Sequence, residues 1–247
     1  MVGSGGVMGV AEAYILGYWD ANDMVQLLQI VLKNRTKLLS LDSGFTRLLK
    51  PINKLIHRTR QNTLIGSKEN ILAHYDLSND FYKLWLDPTM TYSCAFFKNN
   101  SLSLEEASVE KLDRICRKLK LKDSDIVLEI GTGWGSFAIH AAKNYGCKII
   151  TTTISDAQFD YTQELIKKEG LEAQITLLKK DYRELEGRFD KIVSIEMIEA
   201  VGHEYIPKFF TKVSSLLKPD GLIAVSYTHL RAHETLRYRV LSGVGEK

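Results

Sequence analysis

The run Glu129-Ile130-Gly131-Thr132-Gly133-Trp134-Gly135 follows a short apolar stretch, Ile126 to Ile130, and precedes a helical pattern that starts near Ser136. Glycines at such a junction let the chain turn sharply and bring its backbone close to a ligand, where a Cβ would collide. They can also do no more than pack a helix against a strand. A dinucleotide site needs Gly-x-Gly-x-x-Gly and an acid about 20 residues further on to hold a ribose hydroxyl. Here the third glycine comes one place early, and the second strand ends in Thr151-Thr152-Thr153. Nicotinamide dinucleotides therefore fit poorly. No Lys-Ser/Thr pair follows the glycines, which excludes the phosphate loop of nucleoside triphosphatases. His229-x-x-x-His233-Glu234 has the spacing of two zinc-binding histidines on one helix face. The three cysteines, Cys94, Cys116 and Cys147, are scattered and odd in number. Neither a disulfide framework nor a four-ligand zinc site is expected from them.

The elements that would position the glycine run alternate. Ile126 to Ile130, Lys148 to Thr153, Ile175 to Leu178, Lys191 to Ile195 and Leu222 to Val225 read as strands separated by helical stretches. That order predicts βαβ units and a parallel sheet covered on both faces. Ser103-Leu104-Glu105-Glu106 is a capping box, and Leu112, Ile115, Cys116 and Leu119 behind it share one buried helix face. Cys116 is thus expected in the core. Leu217 to Ala224 reads as the end of a helix, a turn and the fifth strand.

The chain has 247 residues, 45% hydrophobic and 26% charged, which is ordinary for a globular protein. A net charge of +3 is far below that of a dedicated nucleic-acid binder. The charge is uneven, with eight cations and one acid between Lys33 and Arg60. An apolar series from Leu27 to Ile56 runs through the same stretch, so amphipathic helices with a cationic face are expected there. Such a face can meet anionic lipid headgroups or simply be solvated. No apolar run approaches the ~20 residues that span a bilayer, and the N-terminus lacks the order of a signal peptide. A cytoplasmic protein, peripheral at the membrane, is the expectation.

The acid-first pattern Glu-x-Gly-x-Gly-x-Gly is similar to the first motif of class I S-adenosylmethionine (SAM) methyltransferases. Further blocks extend the likeness: Ser67 to Ile71, His74 to Tyr82, Leu86 to Phe97 and Ser194 to Tyr205. Together with the glycine run they resemble the cyclopropane-fatty-acyl-phospholipid synthase and mycolic-acid cyclopropane synthase family, from about Gly9 to Val225. The resemblance implies a doubly wound, mostly parallel, Rossmann-like methyltransferase sheet, incomplete on its C-terminal side, with a small helical N-terminal region. The expected divisions are 1–65 for that basic region, 66–224 for the methyltransferase core and 225–247 for a tail.

Carried over by position, the likeness places Tyr92 and Ser93 against SAM from a covering segment. Glu129, Gly131, Gly133, Trp134 and Gly135 would hold its methionine portion, Thr153 to Gln158 its ribose, and Asp181, Tyr182 and Arg183 its adenine. Cys94 and Glu199 fall where family members hold a bicarbonate ion, the base that removes a proton as the ring closes. On residue type alone Cys94 also reads as a small buried hydrophobe, Tyr92 as a core aromatic and Glu199 as the first-turn acid of a helix. Thr132 departs from a cysteine common in the glycine loop, and Ala200 from a histidine common in bacterial lipid enzymes. The implied substrate is an unsaturated phospholipid at a membrane surface, with a homodimer allowed for the full-length protein, no nucleic acid and no metal. Methylation of a small-molecule amine and a catalytically inactive membrane-binding fragment are the competing readings.

From about Val225 the character changes. Val225 to Thr235 resembles one reading frame of the transposase adapter used in short-read library preparation, so this tail, with its two histidines, is expected not to be native. On that reading the fifth strand exposes an apolar edge, and the chain as written is expected to be poorly soluble and inactive.

Overall fold

Five stretches rich in Ile, Val, Leu and Thr form the strands β1 (Ile126–Ile130), β2 (Lys148–Thr153), β3 (Ile175–Lys179), β4 (Phe189–Ile195) and β5 (Leu217–Ser226). They make one sheet in the order β3-β2-β1-β4-β5, every neighbouring pair parallel. The computed structural model describes residues 10–34 and 78–227. Most of the basic stretch, the motifs between Ser67 and Leu77 and the tail from Thr228 with His229 and His233 lie outside the described residues. The chain divides into two compact units, 1–61 and 62–247.

In the first unit, residues 10–15 are helical and helix α1 spans Met24–Lys33. Asp23 caps α1 by accepting from the Gln26 amide at 2.9 Å. No residue of α1 is buried, and Val25, Leu28, Ile30 and Leu32 are all exposed.

In the second unit the connections are α2 (Asn79–Lys83), α3 (Leu104–Leu119), α4 (Ser136–Tyr145), α5 (Asp156–Lys168), α6 (Ile198–Val201) and α7 (Ile206–Leu216). The capping box at α3 forms as expected, with Ser103 and Glu106 each satisfying the other's backbone amide. Alternation along β1 separates two cores. Val127 packs with Leu112, Ile115, Cys116, Phe137 and Ile149, on the side of α3 and α4. Leu128 and Ile130 pack with Ile192, Phe209 and Val213, on the side of α6 and α7. Both faces of the sheet are therefore covered, and Cys116 is fully buried. Burial also pushes the Cys116 and Cys147 thiols up, Cys147 to about 11, so neither is reactive at neutral pH.

One expectation needs correction. Leu217 to Gly221 is not the end of a helix and a turn; α7 stops at Leu216 and β5 starts at once. Leu217 pairs with Phe189 and Leu222 with Lys191, so the four residues between bulge opposite Asp190. The Lys218 ammonium reaches the Asp190 carboxylate at 2.7 Å, and that carboxylate also accepts from the Ile126 amide at 3.0 Å. Proline and glycine, which read as a turn, sit here in a strand irregularity. Pairing continues to Ser226 opposite Ile195. Among the described residues β5 is an outer strand, and Leu222 and Ile223 are exposed.

Candidate functional site

Strand order reverses at β1, since the chain moves outward to β2 and β3 on one side and to β4 and β5 on the other. The carboxyl ends of strands at such a reversal leave a crevice between diverging loops. A cleft of about 1130 Å³, counting its open mouth, lies there. Tyr92, Ser93, Glu129, Gly131, Gly133, Trp134, Thr153, Gln158, Asp181 and Tyr182 all line it.

The loop after β1 owes its path to glycine. Gly131 has φ +93°, and a Cβ there would stand 3.2 Å from the Met197 side chain. Gly135 is placed differently. It is not among the lining residues; it caps α4 with φ +88°, and its missing Cβ leaves room for Thr162, which would otherwise lie 2.9 Å away. At that position the glycine serves helix packing.

The Thr151-Thr152-Thr153 run follows from register. In a parallel pair, facing residues share a side of the sheet, and Glu129 faces Thr151. The Thr151 hydroxyl donates to the Glu129 carboxyl at 2.6 Å. Thr152 donates to the Lys180 carbonyl, and Thr153 to the Gln158 side chain at 2.9 Å. Glu129 itself is 2% exposed, and burial, only partly offset by the bond from Thr151, raises its pKa to about 8. A carboxyl so placed keeps its proton at neutral pH.

The cleft's other wall is aromatic. Trp134 is buried against Tyr82, ring centres 4.6 Å apart, and its indole N–H donates to Asn79 of α2 at 2.9 Å. Tyr92 stacks edgewise on Trp134 at 6.1 Å and is 39% exposed, so it is not a core aromatic. At the far end the Arg183 guanidinium grips the Asp181 carboxylate through Nε at 2.8 Å and Nη2 at 2.6 Å.

Cys94 and Glu199 do not line the cleft. Cys94 is exposed, which removes its reading as a buried hydrophobe. Glu199 is exposed in the first turn of α6. Arg183 lines the cleft beside Asp181 and Tyr182, and Met90, Lys111 and Glu196 line it without having been singled out as site residues. Lys111 is 6% exposed on α3 and donates to the Ser93 hydroxyl. Its signal was the extension of the buried α3 face back to Ala107 and Ser108, a spacing that takes in position 111. Glu196 has φ +48°, a strained conformation for a residue with a side chain. Among the described residues no group of three or more His, Cys, Asp or Glu could hold a metal ion, and no helix is long and apolar enough to cross a membrane.

Known proteins share this architecture. The Escherichia coli K12 cyclopropane-fatty-acyl-phospholipid synthase is 37% identical over 219 residues, 88% of this chain and 55% of that protein. A probable fatty acid methyltransferase of Pseudomonas putida is 42% identical over 157 residues, 63% of this chain and 40% of that protein. The chain thus spans about half the length of the curated relatives it matches. The crystal structure of mycolic acid cyclopropane synthase CmaA1 with SAH and CTAB superposes with a TM-score of 0.62 at 35% identity, covering 64% of this chain and 55% of that one. The sheet is accordingly that of the Rossmann-like methyltransferases. The profile of the mycolic acid cyclopropane synthetase family matches residues 62–242, the larger part of the sequence, and the chain belongs to that family.

Proposed function

We infer that this protein transfers a methyl group from SAM to the cis double bond of unsaturated fatty acyl chains in phospholipids and closes a cyclopropane ring. The cleft at the carboxyl ends of β1, β2 and β4 carries the reading. Its residues suit SAM: the space beside Gly131 admits a ligand against backbone, and the buried Glu129 can meet an ammonium group. The lipid names of the relatives support an acyl substrate.

SAM supplies a methyl group on a positively charged sulfur, the strong electrophile that a weakly nucleophilic alkene requires. The chain's own part is to hold the reactants and keep water from the cation that forms on the acyl chain. Tyr82, Met90 and Trp134 make the apolar packing next to the glycine loop. Ring closure then needs loss of a proton from the new methyl group. The family resemblance assigns that proton to bicarbonate near Cys94 and Glu199, both of which lie outside the cleft lining. In the full-length protein, Glu199→Gln is expected to slow ring formation by at least tenfold, in line with loss of a proton-handling partner, while SAH affinity stays unchanged. An unaltered rate would remove Glu199 from the reaction.

The reading is tested by expressing the full-length gene in a host without cyclopropane lipids and analysing its phospholipids by mass spectrometry. A gain of one CH2 on monounsaturated chains, with loss of the double bond and no methyl branch, is expected. A methyl-branched chain, or labelled methyl appearing in a soluble amine, would replace it.

A phospholipid substrate requires access to a membrane. The cationic stretch from Lys33 to Arg60 and the exposed apolar side chains of α1 support peripheral binding. Each Lys or Arg near an anionic surface is worth about 1 kcal/mol. The protein is expected to co-sediment with vesicles containing phosphatidylglycerol and to be released by 1 M salt, roughly where screening shrinks to 3 Å. Equal binding to neutral vesicles would remove the electrostatic part of this reading.

A further inference from the structure

The segment Tyr92 to Cys94, which carries neither helix nor strand, forms part of the cleft wall through Tyr92 and Ser93. Its flanks are tied to α3. The Phe96 amide donates to the Ala107 carbonyl at 3.0 Å, and Arg114 lies 4.4 Å over the Phe96 ring. On the other flank the buried Asp87 accepts from Ser108 at 2.9 Å. Between the flanks, two charged side chains from different elements meet consecutive residues. Lys111 of α3 donates to the Ser93 hydroxyl, and the Glu196 carboxylate, just past β4, accepts from the Cys94 amide at 2.8 Å.

We propose that Lys111 and Glu196 are positioning residues that grip Ser93 and Cys94 from two elements and hold the Tyr92–Cys94 segment as the covering wall of the cofactor cleft. A buried lysine is costly unless something is gained from its charge. Burial lowers the pKa of the Lys111 ammonium, and the neighbouring Glu196 carboxylate acts against that. Glu196 is held in its left-handed conformation by its amide, which donates to the Ser226 carbonyl at 2.7 Å. Strain of that kind persists only where the surroundings impose it. The bond to Cys94 joins residues 102 positions apart, so it ties the segment to the end of the sheet that carries the cleft. Hydrogen bonds to charged groups are the stronger kind, which suits a wall that must stay in place while it faces solvent.

The proposal rests on the SAM reading for its binding readout and is independent of it for its structural one. In the full chain, Glu196→Ala and Lys111→Met are expected to weaken SAH binding by roughly tenfold each. Together they should cost less than the product, because both hold one segment. Hydrogen exchange at the Cys94 amide should quicken at least tenfold in Glu196→Ala without ligand, and so should labelling of the exposed Cys94 thiol. Glu196→Gln keeps an acceptor oxygen and should recover most of the loss in both measurements. Unchanged exchange at Cys94 in Glu196→Ala overturns the proposal, as does SAH affinity equal to the parent's. A parent chain that binds no SAH would sink the cofactor reading, and the exchange data would then decide the grip on Ser93 and Cys94 alone.

Discussion

Replacing Trp134 with alanine is expected to lower the stability of the methyltransferase unit by about 3–5 kcal/mol, the range for emptying a large aromatic from a packed site. Trp134 is 2% exposed, among the largest fully buried side chains described. It joins the glycine loop to two other pieces of chain, by ring packing to Tyr82 and Met90 and by its N–H to Asn79. Alanine removes the packing and leaves the Asn79 oxygen without that donor. For a unit of this size each kcal/mol moves the melting temperature by roughly 2–4 °C. The variant should therefore melt at least 6 °C lower, about the product of the two lower bounds, and bind SAH weakly because the loop loses its backing. Trp134→Phe keeps most of the ring and gives up only the hydrogen bond, about 1 kcal/mol. If the alanine variant melts with the parent, the aromatic cluster does not support the loop.

Trp134 illustrates what could be read in advance. A glycine-rich turn after a β-branched run announces its own geometry, because few backbone paths need three glycines in five residues. The start of α4, the capping box and the buried stripe of α3 were legible for the same reason: each depends on neighbours within a turn or two. What escaped depends on distant partners. Lys111 falls within the buried spacing of α3, but a lysine reads by type as solvated until Ser93 and the cleft are brought against it. Glu196 and Glu199 are both acids after the same strand, three residues apart. Only the left-handed turn at Glu196 sends one to the cleft wall while the other stays exposed on α6. The β5 bulge was hidden in the same way, since Pro219 and Gly221 carry the chemistry of a turn and only pairing with β4 shows that the strand continues around them.

SAH binding is expected to release a proton and to tighten as pH rises toward about 8, the ligand-free pKa of Glu129. Burial keeps that carboxyl protonated at neutral pH, against an ordinary glutamate value of 4.5. An ammonium group placed beside it favours the carboxylate, so the proton must leave when the cleft fills. Affinity should then rise by up to about tenfold per pH unit below the ligand-free pKa and level off above it. Stability of the empty chain runs the other way. The folded value lies above the unfolded one, so Glu129 contributes fully below pH 4.5 and its contribution is lost as pH climbs to about 8. Glu129→Gln cannot titrate. It should bind SAH more weakly, with no pH dependence from this site, and should gain stability relative to the parent between pH 5 and 8, by roughly 3–5 kcal/mol at the top of that range. Calorimetry in buffers of different ionisation enthalpy reads the proton directly. Heats that do not vary with buffer at pH 7, together with a flat affinity between pH 6 and 8, would show that the buried acid is not the group that receives the ligand's charge.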